Sequence, residues 1–173
     1  MYISNDSGQT FSPLLTPGTA DWYAFAASAD GSKIVLSGSN ITWSSIDSGV
    51  TWRQTPRNFF RITSSDDGSR MTGVQPFGFA YTSTDYGATW TRQPSTGFGT
   101  DVARSWSGVT SSADGMKLAA GIKDGNLSTS SDGGVTWVNQ TNTAVELNGI
   151  RASNLFNGIR ASGFPRLAID MTG

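Results

Sequence analysis

At 173 residues the chain fits one domain that buries about two thirds of its unfolded surface, a core that needs no covalent staple. Lys and Arg number 12 against 13 Asp and Glu, a net charge of -1 with only 14% charged residues, so no broad field steers nucleic acid or anionic lipid. The absence of Cys and His removes disulfides, thiolates, imidazole bases and the commonest metal ligand, and no apolar run approaches the roughly 20 residues of a membrane helix.

Residues 2–15 begin with Tyr2-Ile3 and run into Ser4-Asn5-Asp6-Ser7-Gly8-Gln9-Thr10-Phe11, which reads as a strand, a tight turn and a second strand. The same octapeptide, Ser-x-Asp-x-Gly-x-Thr-aromatic, returns at 45–52, 83–90 and 130–137. Its fixed residues are Asp6, Gly8 and Phe11, then Asp47, Gly49 and Trp52, then Asp85, Gly87 and Trp90, and finally Asp132, Gly134 and Trp137. The Asp-to-Asp spacings of 41, 38 and 47 residues match a four-stranded antiparallel unit with short turns.

Residues 22–56 form the first full unit. An aromatic-led strand from Trp22 meets the turn Ser28-Ala29-Asp30-Gly31, the apolar run Lys33-Ile34-Val35-Leu36 returns, and a third strand carrying Trp43 enters the octapeptide. Alternation leaves Trp43 open to either face. Residues 59–94 repeat the order with Phe59, Ser65-Asp66-Asp67-Gly68 and Arg70, and residues 104–140 with Trp106, Ser112-Ala113-Asp114-Gly115 and Lys117. In each unit the aromatic stands eight residues before the turn Asp, and the octapeptide Asp follows 17 or 18 residues after it. Asp-Gly is a strong hairpin signal because Gly takes positive φ without a Cβ penalty.

Residues 147–173 start a further unit, since Leu147-Asn148-Gly149-Ile150 overlays Trp106-Ser107-Gly108-Val109 and the near-copy 157–162 supplies a second strand. The chain stops where the next octapeptide Asp would fall, and the hairpin missing there opens residues 2–15. The expectation is one all-β domain, a β-propeller of four-stranded antiparallel blades. About four blades belong to each chain: half a blade at 2–15, full blades at 22–56, 59–94 and 104–140, and half a blade at 147–173. The terminal blade is thus split between the two ends. Completed within one chain it closes a small ring; completed between chains it makes a homo-oligomer or filament through the terminal strands.

The octapeptide Asp can accept hydrogen bonds from its own turn while the aromatic packs between sheets. These octapeptides resemble the Asp-box, or bacterial neuraminidase, repeat found in sialidases, sortilin-type ectodomains, some xyloglucan hydrolases and photosystem assembly factors. The resemblance implies a propeller and leaves activity open. For a sialidase it implies a Phe-Arg-Ile-Pro motif, an arginine triad and a Tyr and Glu pair. Phe60-Arg61-Ile62-Thr63 has Thr for Pro, and the one Glu is Glu146. The other acids outside the turns, Asp21, Asp101, Asp124 and Asp170, are scattered over loops, and Asp66-Asp67-Gly68 lacks the ligand spacing of a calcium loop.

The sequence therefore gives no catalytic residue, no metal site and no cofactor. Asn5, Asn40, Asn126 and Asn139 head Asn-x-Ser/Thr sequons in or beside expected turns. Together with a Ser-, Thr-, Asn- and Gly-based polarity they point to an extracellular or cell-surface glycoprotein. The expected function is a non-enzymatic structural or adhesive repeat protein. The alternative is a glycan-binding propeller using Trp22, Tyr23 and Trp106 as contacts, with Arg104, Arg151 and Arg160 lining a central channel. A glycoside hydrolase fragment ranks third.

Overall fold

A computed structural model describes residues 2–3, 9–13, 21–94, 103–122 and 127–140, with strands at 150–152, 159–161 and 168–169 described by backbone alone. Among these residues every regular element is an antiparallel strand. The first pair is β1 (Tyr2–Ile3) with β2 (Ser12–Pro13). The first full blade is β3 (Trp22–Ala27), β4 (Ile34–Gly38), β5 (Ile41–Ser45) and β6 (Arg53–Thr55). The second is β7 (Arg61–Ser64), β8 (Met71–Val74), β9 (Ala80–Ser83) and β10 (Thr91–Arg92); the third is β11 (Trp106–Ser111), β12 (Leu118–Ile122), β13 (Leu127–Ser130) and β14 (Val138–Gln140). A three-stranded sheet follows, β15 (Ile150–Ala152), β16 (Ile159–Ala161) and β17 (Ala168–Ile169).

Each sheet is a meander in chain order, as short strands joined by tight turns require. The first strands lie side by side: β7 sits between β3 and β11, and β15 lies against β11. The blades therefore radiate from a row of inner strands, the arrangement of a β-propeller. The two kinds of Asp turn share one end of each blade, joined by Ser48 N–H to Ser32 O at 2.9 Å and Gly133 N–H to Met116 O at 2.8 Å. The β4–β5 and β8–β9 loops lie at the other end.

Packing between blades holds the row together. Ala26 and Val35 of the first blade meet Phe59, Ile62, Met71, Tyr81 and Trp90 of the second, and Val74 and Ala80 meet Trp106, Val109, Leu118 and Trp137 of the third. Phe59 is fully buried, its ring 4.4 Å from that of Trp90, and a Cβ on Gly73 would stand 2.7 Å from it. Burying one such side chain contributes about 1.5–3 kcal/mol. A backbone ladder crosses the turns as well, from Ala29 N–H to Asp66 O and from Asp66 N–H to Ala113 O, both 2.7 Å.

Candidate interaction surface

The octapeptide builds itself from its own side chains. In the first blade the Ser45 hydroxyl donates to Asp47 Oδ1 at 2.8 Å and accepts from the Gly49 amide at 2.8 Å. Asp47 then accepts from the Thr51 amide at 2.8 Å and the Thr51 hydroxyl at 2.5 Å, and Trp52 Nε1–H closes onto Gly49 O at 3.0 Å. Asp85 and Asp132 sit in the same network with Thr89 and Thr136. Gly49, Gly87 and Gly134 all take positive φ. The interleaved turn works alike: Ser28, Ser65 and Ser112 each donate to the Asp two residues on and accept from the amide of Lys33, Arg70 or Lys117.

These bonds stabilise the ionised carboxylates. The Ser28 hydroxyl, then the Ser32 amide and hydroxyl, hold Asp30 down to about 2, and the Thr51 hydroxyl and amide do the same for Asp47. The Ser65 and Ser112 hydroxyls lower Asp67 and Asp114. Burial pushes Asp85 and Asp132 upward, but the Thr89 and Thr136 hydroxyls and amides outweigh it and both end lowered. Six carboxylates are thus anchored in separate turns, and no three potential metal ligands converge among the described residues.

A second feature is uneven cover along the inner strands. Phe25, Ile62 and Val109 occupy the same position, three residues before the turn Ser that follows the strand, yet Phe25 is 71% exposed against 9% and 6%. Trp22 and Trp52 are half-buried where Phe59, Trp106, Trp90 and Trp137 are buried. The turns agree. A Cβ on Gly68 would stand 2.7 Å from Lys33 Cβ, and one on Gly115 would stand 2.8 Å from Arg70 Cβ, each on the preceding blade, whereas one on Gly31 meets nothing within 4 Å. Ile34 and Leu36 on β4 are buried, so the open strip follows the inner strand.

At the loop end, a cleft of about 380 Å³ opens between the second and third blades, lined by Phe60, Arg61, Pro76, Phe77, Ser105, Trp106 and Ser107. The sequence motifs single out Trp106 but not Phe77, which is 75% exposed with φ 52°. The β8–β9 loop takes five residues, 75–79, where β4–β5 takes two, 39–40, but shorter strands offset most of the difference, so the sequence shows it as one extra residue between Asp67 and Asp85.

The remaining sequence candidates are dispersed. Tyr23 is exposed and bonds Ser39 Oγ at 2.8 Å, while Trp106 is 4% exposed, packs on Trp137 and donates through Nε1–H to Gly78 O at 3.1 Å. Trp43 is half-buried opposite Leu36. Phe60-Arg61-Ile62-Thr63 runs into β7 as an ordinary inner strand. Arg104 pairs by backbone with Gly78, and Arg151 stands opposite Arg160 in the β15–β16 register. Phe11 is exposed, and Asn40 lies in an exposed turn at φ 61°. Asn139 stands within β14 rather than in a turn, because β14 stays paired with β13 past it. Asp6, Gly8, Asn5, Asn126, Asp101, Asp124, Glu146 and Asp170 lie outside the described residues.

No protein-family model matches the chain, and no curated protein sequence does. Among solved structures it is similar to the GH74 enzyme of Niastella koreensis, with a TM-score of 0.63 and 19% identity, covering 88% of this chain and 25% of that one. YCF48 bound to D1 peptide gives 0.62 and 19%, covering 84% and 49%. The β-propeller domain of Myceliophteria thermophila Cps50 (Swd1) gives 0.70 and 9%, covering 89% and 53%. Likeness at these identities establishes the β-propeller fold, which enzymes and non-enzymes share. The chain spans a quarter to about half the length of these structures.

Proposed function

We propose that this chain is a non-enzymatic Asp-box propeller module, secreted or at the cell surface, whose work is structural: copies associate head to tail, and strands β15 and β16 of one copy cover β3 of the next. The observation that carries this reading is the exposure of Phe25 where its counterparts Ile62 and Val109 are buried by the preceding blade. Covering it contributes about 1.5–3 kcal/mol, to which Trp22 and Trp52 add. The occupant follows from the repeat, because the strand that covers β7 is β3 and the strand that covers β11 is β7, each an inner strand. The β1–β2 pair corresponds to the two outer strands of a blade, and β15–β17 to the first three. The third-strand position is therefore supplied twice, and among the described residues no inner strand precedes β3. Head-to-tail contacts of this kind give a ring or a filament.

Two observations support the non-enzymatic and extracellular parts. The hairpin carboxylates are tied to their own turns and ionised, which unsuits them to acid catalysis, and the Asn40 sequon stands in an exposed turn. A second reading, a segment of a longer glycoside hydrolase whose further blades cover β3, draws on the fold likeness to GH74 enzymes. Light scattering separates the two. The assembly reading expects multiples of 18.3 kDa that fall to the single-chain mass in Phe25→Asp while the β-sheet circular dichroism stays. A single-chain mass for the unaltered protein at every concentration overturns it.

A further inference from the structure

The cleft between the second and third blades lies at the loop end and plays no part in the association just described. We propose that it binds an extended peptide segment through an acidic side chain set beside an apolar one. Four observations lead there.

Phe77 is a large apolar side chain presented to solvent from a left-handed backbone, φ 52°. That conformation is strained for a bulky residue, and it persists only where the surroundings impose it. The surroundings do: the next residue, Gly78, exchanges two backbone hydrogen bonds with Arg104, at 3.1 and 2.8 Å, and accepts a third from Trp106 Nε1. The loop is pinned, and the aromatic ring is held out at the cleft wall.

Arg61 supplies the charge. Its guanidinium lies 3.9 Å over the Phe60 ring and donates one hydrogen bond, from Nη1 to Phe60 O at 2.8 Å. Among the described residues that line the cleft, none is a carboxylate that would pair with it. A guanidinium fixed flat on an aromatic ring, with donors to spare, suits a carboxylate.

The third observation is a hydroxyl in want of an acceptor: Ser107 lines the cleft, and its Oγ is buried without a hydrogen-bond partner. The fourth is what the lining omits. Among the described lining residues there is no Asp, Glu, Asn or Gln and so few side-chain acceptors for the many hydroxyl donors of a sugar, whereas an acceptor-rich carboxylate next to an apolar group meets Arg61, Ser107, Phe60 and Phe77 together. At about 380 Å³, and open on the Phe77 side, it suits one or two residues of a passing chain rather than an enclosed metabolite.

Calorimetry tests this with the acetylated, amidated tetrapeptide Gly-Phe-Asp-Gly, its Gly-Phe-Asn-Gly counterpart and cellotetraose. The acidic peptide is expected to bind with Kd on the order of 1 mM, and the amide counterpart and cellotetraose about tenfold more weakly or not at all. Arg61→Gln and Phe77→Gly should each weaken the acidic peptide about tenfold. Phe77→Gly carries its own folding control, since Gly accepts this φ without strain and the melting temperature should hold or rise. Phe25→Asp should bind the peptide unchanged, which keeps this result separate from association. Equal binding of the two peptides, tighter binding of cellotetraose, retention of affinity in both cleft variants, or no binding at roughly 10 mM peptide would each overturn the proposal.

Discussion

Strands β3 and β7 occupy equivalent places in their blades and live in opposite surroundings. Ile62 on β7 is packed under the first blade, in a cluster with Phe59, Met71 and Val35, while Phe25 on β3 stands in solvent. The turns repeat the contrast, with Gly68 pressed against Lys33 and Gly31 facing open space. In a repeat protein, then, burial belongs to the interface and not to the residue: each blade completes its neighbour, and among the described residues no inner strand precedes β3.

Substitutions sharpen this comparison. The largest effect is expected at the aromatic that leads each inner strand. Phe59→Ala should cost about 3–5 kcal/mol by urea unfolding because its site is fully enclosed, and Trp22→Ala less than half of that, its side chain being only half-buried. Equal costs would break the comparison. Next come the turn glycines. Gly68→Ala combines φ 75° with a Cβ 2.7 Å from Lys33 and should cost about 2–4 kcal/mol, whereas Gly31→Ala, at φ 70° with nothing near, should cost only the backbone term of about 1–2 kcal/mol.

A smaller effect is expected inside the octapeptide. Asp85→Ala strips the Thr89 amide and hydroxyl of their acceptor and should cost about 1–2 kcal/mol, with Asp132→Ala alike, since the two networks match. The smallest is a dependence on pH. The folded carboxylates Asp30 and Asp47 titrate near 2, below the roughly 3.9 of an unfolded Asp, so between those values the unfolded chain binds more protons. Their contribution is complete above about pH 4 and is lost as pH falls toward 2. Melting temperatures at pH 5, 3 and 2 should fall in that order; a flat series would mean the turn carboxylates contribute little.

Much of the fold was legible because its signals are local. Ser45, Asp47, Gly49, Thr51 and Trp52 bond within their own eight residues, so the pattern alone announces the hairpin, and the constant step from Asp30 to Asp47 sets the blade. Phe25 was not legible as an exposed residue, because nothing in Trp22–Ala27 records what stands on its far side. Trp106, a sugar contact in the alternative reading of the sequence, is buried, and its place eight residues before the turn Asp, shared with the buried Phe59, was the available clue. Phe77 escaped because its turn carries none of the fixed residues of the repeat, and its left-handed backbone is imposed by Arg104 and Trp106 from the next blade.

The central claim is that β15 of one copy lies against β3 of another, and the absence of native cysteine makes it directly testable. Two single variants, Phe25→Cys and Ile150→Cys, would be mixed and treated with a short bis-maleimide. The account predicts a covalent heterodimer from the mixture, and cross-linked multimers from the double variant. Cross-linking confined to single chains of the double variant, or no product in the mixture, would contradict it.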